Sequence, residues 1–142
     1  MLQSSSPFSF SIVKCVLLLE LEKFTGDEEY ITILKENLYK LRSIPFDIVF
    51  FQAGVDSLKF DSLGHLNLTQ DGMKIRNELV LDFCATQNLP LLILMGGGYS
   101  DPIDHTVKAF HNLFVQCTKT IRTSTVSDTH LRAHETSFHV VC

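Results

Sequence analysis

The sequence is short of most features that assign a function quickly. Its four cysteines, Cys15, Cys84, Cys117 and Cys142, form no Cys-x-x-Cys pair and no close framework. That argues against a disulfide-stapled secreted module and points to reduced thiols inside a cell. An excess of one charge is also missing: the net charge is −4, with no basic stripe to meet nucleic acid or an anionic membrane. No apolar run approaches the roughly 20 residues that a membrane span requires. The N-terminus lacks the basic segment of a signal peptide, and its first apolar run is cut by Glu20 and Glu22. No internal repeat is visible. What remains is 142 residues that are 45% apolar, enough to bury the core of one domain.

In chain order, residues 1–11 are a Ser-rich loose lead-in. Residues 12–21 are apolar and β-branched, as a strand would be. Thr25-Gly26-Asp27-Glu28 reads as a capping box, with Asp27, Glu28 and Glu29 suited to the positive end of a helix dipole. Tyr30, Ile31, Leu34, Leu38 and Leu41 then share one helical face, and Pro45 ends that unit. The pattern repeats. A strand is expected over 48–51, a loop to about Asn67, and a helix capped by Thr69 with Ile75, Leu79, Val80, Phe83 and Cys84 as its apolar stripe. Residues 91–95 are a short, wholly apolar strand, followed by Gly96-Gly97-Gly98-Tyr99-Ser100. Asp101-Pro102 reads as a helix start, with Ile103, Val107, Phe110 and Phe114 as the buried face.

The order β-α-β-α-β-α, with strands apolar on both faces, predicts a three-layer α/β/α domain around a parallel sheet. All strands of such a sheet point the same way. The loops after Phe51 and after Met95 therefore open at one carboxyl edge, where α/β proteins place their sites. Asp56 and Tyr99 belong on that rim. A carboxylate is a hard ligand for a divalent ion and is common in zinc sites. A phenol stays protonated at neutral pH, so Tyr99 can donate a hydrogen bond to a developing oxyanion. The glycines before it permit unusual backbone angles and close approach. Together these types suit metal-assisted amide hydrolysis.

Each feature also has an ordinary explanation. An Asp after a strand is more often a turn former or helix cap than a ligand, and Gly-Gly-Gly-Tyr is usually just a turn. Asp61 and Gly64 read as loop structure, and His65, His105 and His111 as surface or helix residues. The glycine run matches neither a dinucleotide fingerprint nor a P-loop.

The stretch FDIVFFQAGVDSLKFDSLGHLNLTQ (46–70) resembles the AGxD…D.LG.L.LT..G block of zinc-dependent histone deacetylases and their bacterial relatives. Class IV histone deacetylases are the most similar branch. TGDEEY (25–30), LPLLILMGGGYS (89–100) and DPIDHTV (101–107) extend the resemblance in order and spacing. It implies the C-terminal part of an arginase/deacetylase fold, placed at 12–117. It also implies a metal-ligand role for Asp56, a catalytic role for Tyr99 toward the acyl carbonyl, and Gly97 and Gly98 lining an acyl-lysine channel. The implied cofactor is Zn2+, and the implied partner is an acyl-lysine protein such as a histone tail, or an acylated polyamine. No nucleic acid or membrane span is expected. The implied compartments are nucleus and cytoplasm.

Two departures limit what the resemblance implies. The family's His-His base and its Asp-x-His ligand pair have no counterpart before Asp56; the first histidine is His65. One carboxylate does not hold catalytic zinc, which takes three protein ligands, so the chain alone is expected to be inactive. The tail, 118–142, is expected to be disordered or non-native. THLRAHET resembles translated adaptor sequence, whereas His130, His134, His139 and Cys142 have spacings that could recruit zinc. Two functional classes stay open at this point: part of a zinc-dependent lysine deacylase, or a non-catalytic shortened isoform or pseudoenzyme acting as a binding module. An unrelated α/β ligand-binding module is a third.

Overall fold

A computed structural model describes residues 20–127. The strand expected over 12–21, the lead-in before it and residues 128–142 of the tail lie outside that range, except for Glu20 and Leu21, which carry no regular structure. The elements are α1 (Asp27–Leu41), β1 (Val49–Gln52), α2 (Gln70–Thr86), β2 (Leu91–Leu94) and α3 (Asp104–Ser127). They form an incomplete α/β/α domain, with a small parallel sheet flanked by helices.

α1 starts one residue later than the capping-box reading allows. Gly26 is its N-cap and no side chain caps it. Thr25 is instead buried, and its hydroxyl donates to the Glu22 carbonyl at 2.9 Å. The Asp27 carboxylate is taken by a distant partner: it accepts from the Thr69 N–H at 2.8 Å and from the Thr69 hydroxyl. Thr69 in turn caps α2, accepting from the Gly72 N–H at 3.1 Å. One carboxylate thus joins the start of α1 to the start of α2, and a long-range bond displaces the local box. Leu38 and Leu41 of α1 pack on Val80, Phe83 and Cys84 of α2, together with Phe46, Val49, Phe51 and Leu91. Burial pushes the Cys84 thiol up to about 11. Past the Gln87 C-cap of α2, Asn88 turns the chain in the left-handed region at φ 51°, while the Leu89 N–H returns to the Cys84 carbonyl at 2.9 Å.

The strands pair in parallel, Val49 with Leu91 through Gln52 with Leu94. Alternation sends Val49 and Phe51 toward the helices and Phe50 the other way. Phe50 is 62% exposed, and Leu94 and Met95 are exposed beside it. The expectation that helices cover both faces therefore meets an open apolar face among the described residues.

Two helix faces differ from the expected ones. On α2, Ile75 is exposed, while Met73, Arg76, Asn77, Val80, Leu81, Phe83 and Cys84 are buried. Ile103, just before α3, and Val107 and Phe114 on it are exposed, and Thr106, Ala109, Leu113 and Gln116 are buried. The reason is a polar seam between the two helices. Asn77 donates to the Gln116 side-chain oxygen at 3.1 Å, and the Gln116 amide donates to the Lys74 carbonyl at 2.9 Å. Small Ala109 sits where α3 approaches a core of Val55, Leu58, Leu68 and Met73. α3 itself begins at Asp104, after the Asp101-Pro102 turn.

An open apolar face of this kind drives association. The chain should self-associate in sedimentation velocity, and Phe50→Lys should shift it toward monomer. A monomeric wild type with a sharp cooperative melt would contradict this.

Candidate functional site

Both strands end at the same edge, and their backbones stay paired beyond it. The Ala53 N–H donates to the Leu94 carbonyl at 2.8 Å and the Val55 N–H to the Gly96 carbonyl at 3.0 Å. This carries Asp56 and the Gly97-Gly98-Tyr99 loop side by side onto the rim. Gly97 has φ 71°, and a Cβ on it would lie 2.8 Å from both the backbone nitrogen and the Cβ of Asp56. Only glycine allows the loop to cross Asp56 that closely. Gly98, at φ 109°, passes equally tightly against Thr106. The Asp56 carboxylate and the Tyr99 ring are both exposed at the edge.

The residues after Asp56 are not a free loop. Leu58 and Leu68 are completely buried. The Leu68 N–H donates to the Ser57 carbonyl and the Lys59 N–H to the Leu68 carbonyl, each at 3.0 Å. The turn that presents Asp56 is thereby nailed to the core under it.

Asp61, which reads as plain loop structure, ties the two rim loops together. One carboxylate oxygen accepts from the N–H groups of Leu63 and Gly64, each at 2.9 Å. The other accepts from the Tyr99 N–H at 2.8 Å. The Ser62 N–H closes the pair by donating to the Tyr99 carbonyl at 3.0 Å. Partial burial works against the charged form, but the N–H groups of Leu63, Gly64, Tyr99 and Gly98 outweigh it and hold the carboxyl below its ordinary value. The sequence did carry a signal, because an Asp accepting from residues two and three ahead is an Asx-type turn. Nothing in the sequence marked the bond to Tyr99.

Arg76 is the second residue that hydropathy passed over. Only 5% exposed, it reaches from α2 under the rim and donates to the Gly54 carbonyl at 2.8 Å and the Ser57 hydroxyl at 3.3 Å. It also donates to the Ala53 carbonyl at 3.4 Å, bonds the Asn77 side-chain oxygen through two nitrogens, and faces the Phe51 ring. Burial pulls the guanidinium below its ordinary value, and the Tyr30 hydroxyl and Asp56 carboxylate pull it back. Its signal was positional: residues 73, 76, 77, 80 and 84 share a helical face.

The histidines lie where a surface reading puts them. His65 and His111 are exposed, and His105 stacks on Phe60 with ring centroids 4.0 Å apart. Among the described residues, no three His, Cys, Asp or Glu side chains converge to hold a metal. Both oxygens of Asp61 are taken by N–H donors, whereas the Asp56 carboxylate is exposed on the rim. This set does not by itself fit a catalytic zinc, which needs three protein ligands. The histidines and cysteine of the tail lie outside the described range.

A parallel sheet with a carboxylate and a Gly-Gly-Gly-Tyr loop side by side at its carboxyl edge defines an α/β protein with a rim site. Residues 12–116 match the family model of the histone deacetylase domain, and the chain belongs to that family. It is 38% identical over 96 residues to an uncharacterized protein of a Picosynechococcus strain, covering 67% of this chain and 32% of that one. It is 37% identical over 82 residues to histone deacetylase 2 of Arabidopsis thaliana, covering 57% and 21%. With a probable histone deacetylase 1-A of Xenopus laevis it shares 42% over 76 residues, 52% of this chain and 15% of that protein. The chain thus spans less than a third of each of these relatives, since the largest share is 32%.

The Asp61 clamp makes a signed prediction. A carboxyl held below its ordinary value stabilises the fold above its unfolded pKa and loses that contribution as pH falls through the lower, folded value. Asp61→Asn should therefore cost about 1 kcal/mol at pH 7, allowing for solvent screening. The difference from wild type should shrink below about pH 4. Denaturant melts at both pH values check it; a difference that does not depend on pH would refute the clamp.

Proposed function

We propose that this chain carries the C-terminal part of the active-site domain of a zinc-dependent lysine deacylase, nearest the class IV branch. Asp56 is its metal-ligand aspartate, Tyr99 the phenol that donates to the acyl carbonyl oxygen, and Gly97 and Gly98 line the acyl-lysine channel. The observation that carries this reading is the crossing of Gly97 over Asp56, in a chain that belongs to the histone deacetylase domain family. The substrate is then the acyl-lysine of a protein such as a histone tail, or an acylated polyamine. No helix among the described residues is long and apolar enough to cross a membrane, and a nuclear or cytoplasmic setting suits such a substrate.

On this reading the chain's own residues do two things. The Asp61 clamp holds the Tyr99 backbone against the Asp56 loop, which fixes where the phenol stands. The glycines keep that loop thin enough for an extended acyl-lysine side chain to pass. The remaining ligands and the general base have no counterpart before Asp56, so residues 1–142 alone are catalytically incomplete. The same observation supports a second reading, a non-catalytic form that only binds its partner.

A hybrid tests the first reading. Residues 20–116 would replace the matching segment of the Arabidopsis histone deacetylase 2 and be assayed with zinc on an acetyl-lysine peptide. The hybrid should cleave the peptide. Tyr99→Phe should lower kcat by about 100-fold or more, and Asp56→Asn should lose bound zinc together with activity. Full activity in both variants would remove the proposal.

A further inference from the structure

Arg76 is a fully covered cation from which no carboxylate accepts a hydrogen bond among the described residues. A charge placed there costs several kcal/mol of desolvation unless its donors are satisfied. Besides the Tyr30 hydroxyl and the Asn77 side-chain oxygen, its acceptors lie on one short segment: the carbonyls of Ala53 and Gly54 and the hydroxyl of Ser57. These bracket Asp56. The guanidinium is a planar fork with five donors, so it fixes several acceptors at once where an ammonium is only a point charge. Its far side is fixed as well, through the Asn77 side-chain oxygen and from there to Gln116 on α3. Gln116 is anchored by the Lys74 carbonyl and the Glu78 carboxylate, the latter at 3.0 Å. A polar relay therefore runs from α3 through α2 to the turn that carries Asp56.

We propose that Arg76 is the positioning residue for Asp56, with Asn77 and Gln116 setting its guanidinium. It crosslinks Ala53, Gly54 and Ser57 so that Asp56 leaves the core at a fixed angle beneath Gly97. The relay makes α3 packing a determinant of rim geometry. The inference rests on Asp56 being the site carboxylate.

Amide hydrogen exchange on the whole chain reads the turn directly. The Val55 N–H is bonded to the Gly96 carbonyl and the Leu68 N–H to the Ser57 carbonyl, so both report on its docking, while Val80 and Leu113 report on the helices. Arg76→Met and Arg76→Lys should each speed exchange at Val55 and Leu68 by at least about tenfold more than at Val80 and Leu113. The Hα–Hβ couplings of Asp56 should move from one rotamer to an average. Equal acceleration everywhere would mean only a structural role, and rescue by Arg76→Lys would mean that charge alone matters; either overturns the proposal. Should Arg76→Met fail to fold, Asn77→Ala loosens the relay while keeping the carbonyl contacts. It should speed Val55 and Leu68 selectively, and unchanged exchange there overturns the proposal equally. Exchange reads the turn whether or not Asp56 meets a metal. Its failure removes the brace alone, whereas an active Asp56→Asn hybrid removes the ligand reading alone.

Discussion

The Asp61 carboxylate bridges two loops that come from different strands, and the position of Tyr99 on the rim depends on that bridge. Its oxygens accept from Leu63 and Gly64 on its own loop and from Tyr99 on the other. Charge-assisted bonds of this kind are roughly twice as strong as neutral ones. They act beyond the parallel ladder, beside the short antiparallel bridge in which the Ser62 N–H donates to the Tyr99 carbonyl and the Asp101 N–H to the Phe60 carbonyl. Without them, Tyr99 would be held only by the two neutral backbone bonds of that bridge, at 3.0 and 3.2 Å. The flexibility that lets Gly97 cross Asp56 has to be offset by a fixed point, and Asp61 is that point.

Beneath the rim the opposite charge does the complementary work. Arg76 gathers the carbonyls of Ala53 and Gly54 from below, while Val55, Leu58 and Leu68 sink into the core between Met73 and Ala109. The long connection from β1 to α2 is thus anchored in the core, and connections of that length in compact domains are usually functional. Asp27 adds the last tie by holding the Thr69 cap at the end of that connection. Both ends of the connection, and its middle, are pinned by side chains that ionise.

How much of this was legible follows from the kind of signal involved. Strand and helix positions were readable because hydrophobic period and breakers are local: β1, β2 and the Thr69 cap fall within a residue of their expected places. The shared rim of Asp56 and Tyr99 was readable too, because a parallel sheet leaves no other edge for its loops. The helix faces were readable only in part: Val80, Phe83 and Cys84 of the expected α2 stripe are buried, but its N-terminal half and much of the α3 face are not as expected. Phe114 and Ile75 outrank Gln116 and Asn77 in hydropathy, yet the latter pair is buried because each satisfies the other across α2 and α3. The Thr25 box failed for a similar reason, since Asp27 and Thr25 both found other partners. The exposure of Phe50, Ile103 and Val107 was not readable either, since hydropathy alone places all three in a core.

The central claim is that the Asp61 carboxylate, charged and saturated by backbone N–H groups, locks the two site loops together. The most direct test is the carbon-13 titration of that carboxyl in the folded chain. A midpoint below the ordinary 3.8, with the Tyr99 amide shift moving at the same pH, is the predicted result. A midpoint at or above 3.8, or a Tyr99 amide that does not respond, would contradict it.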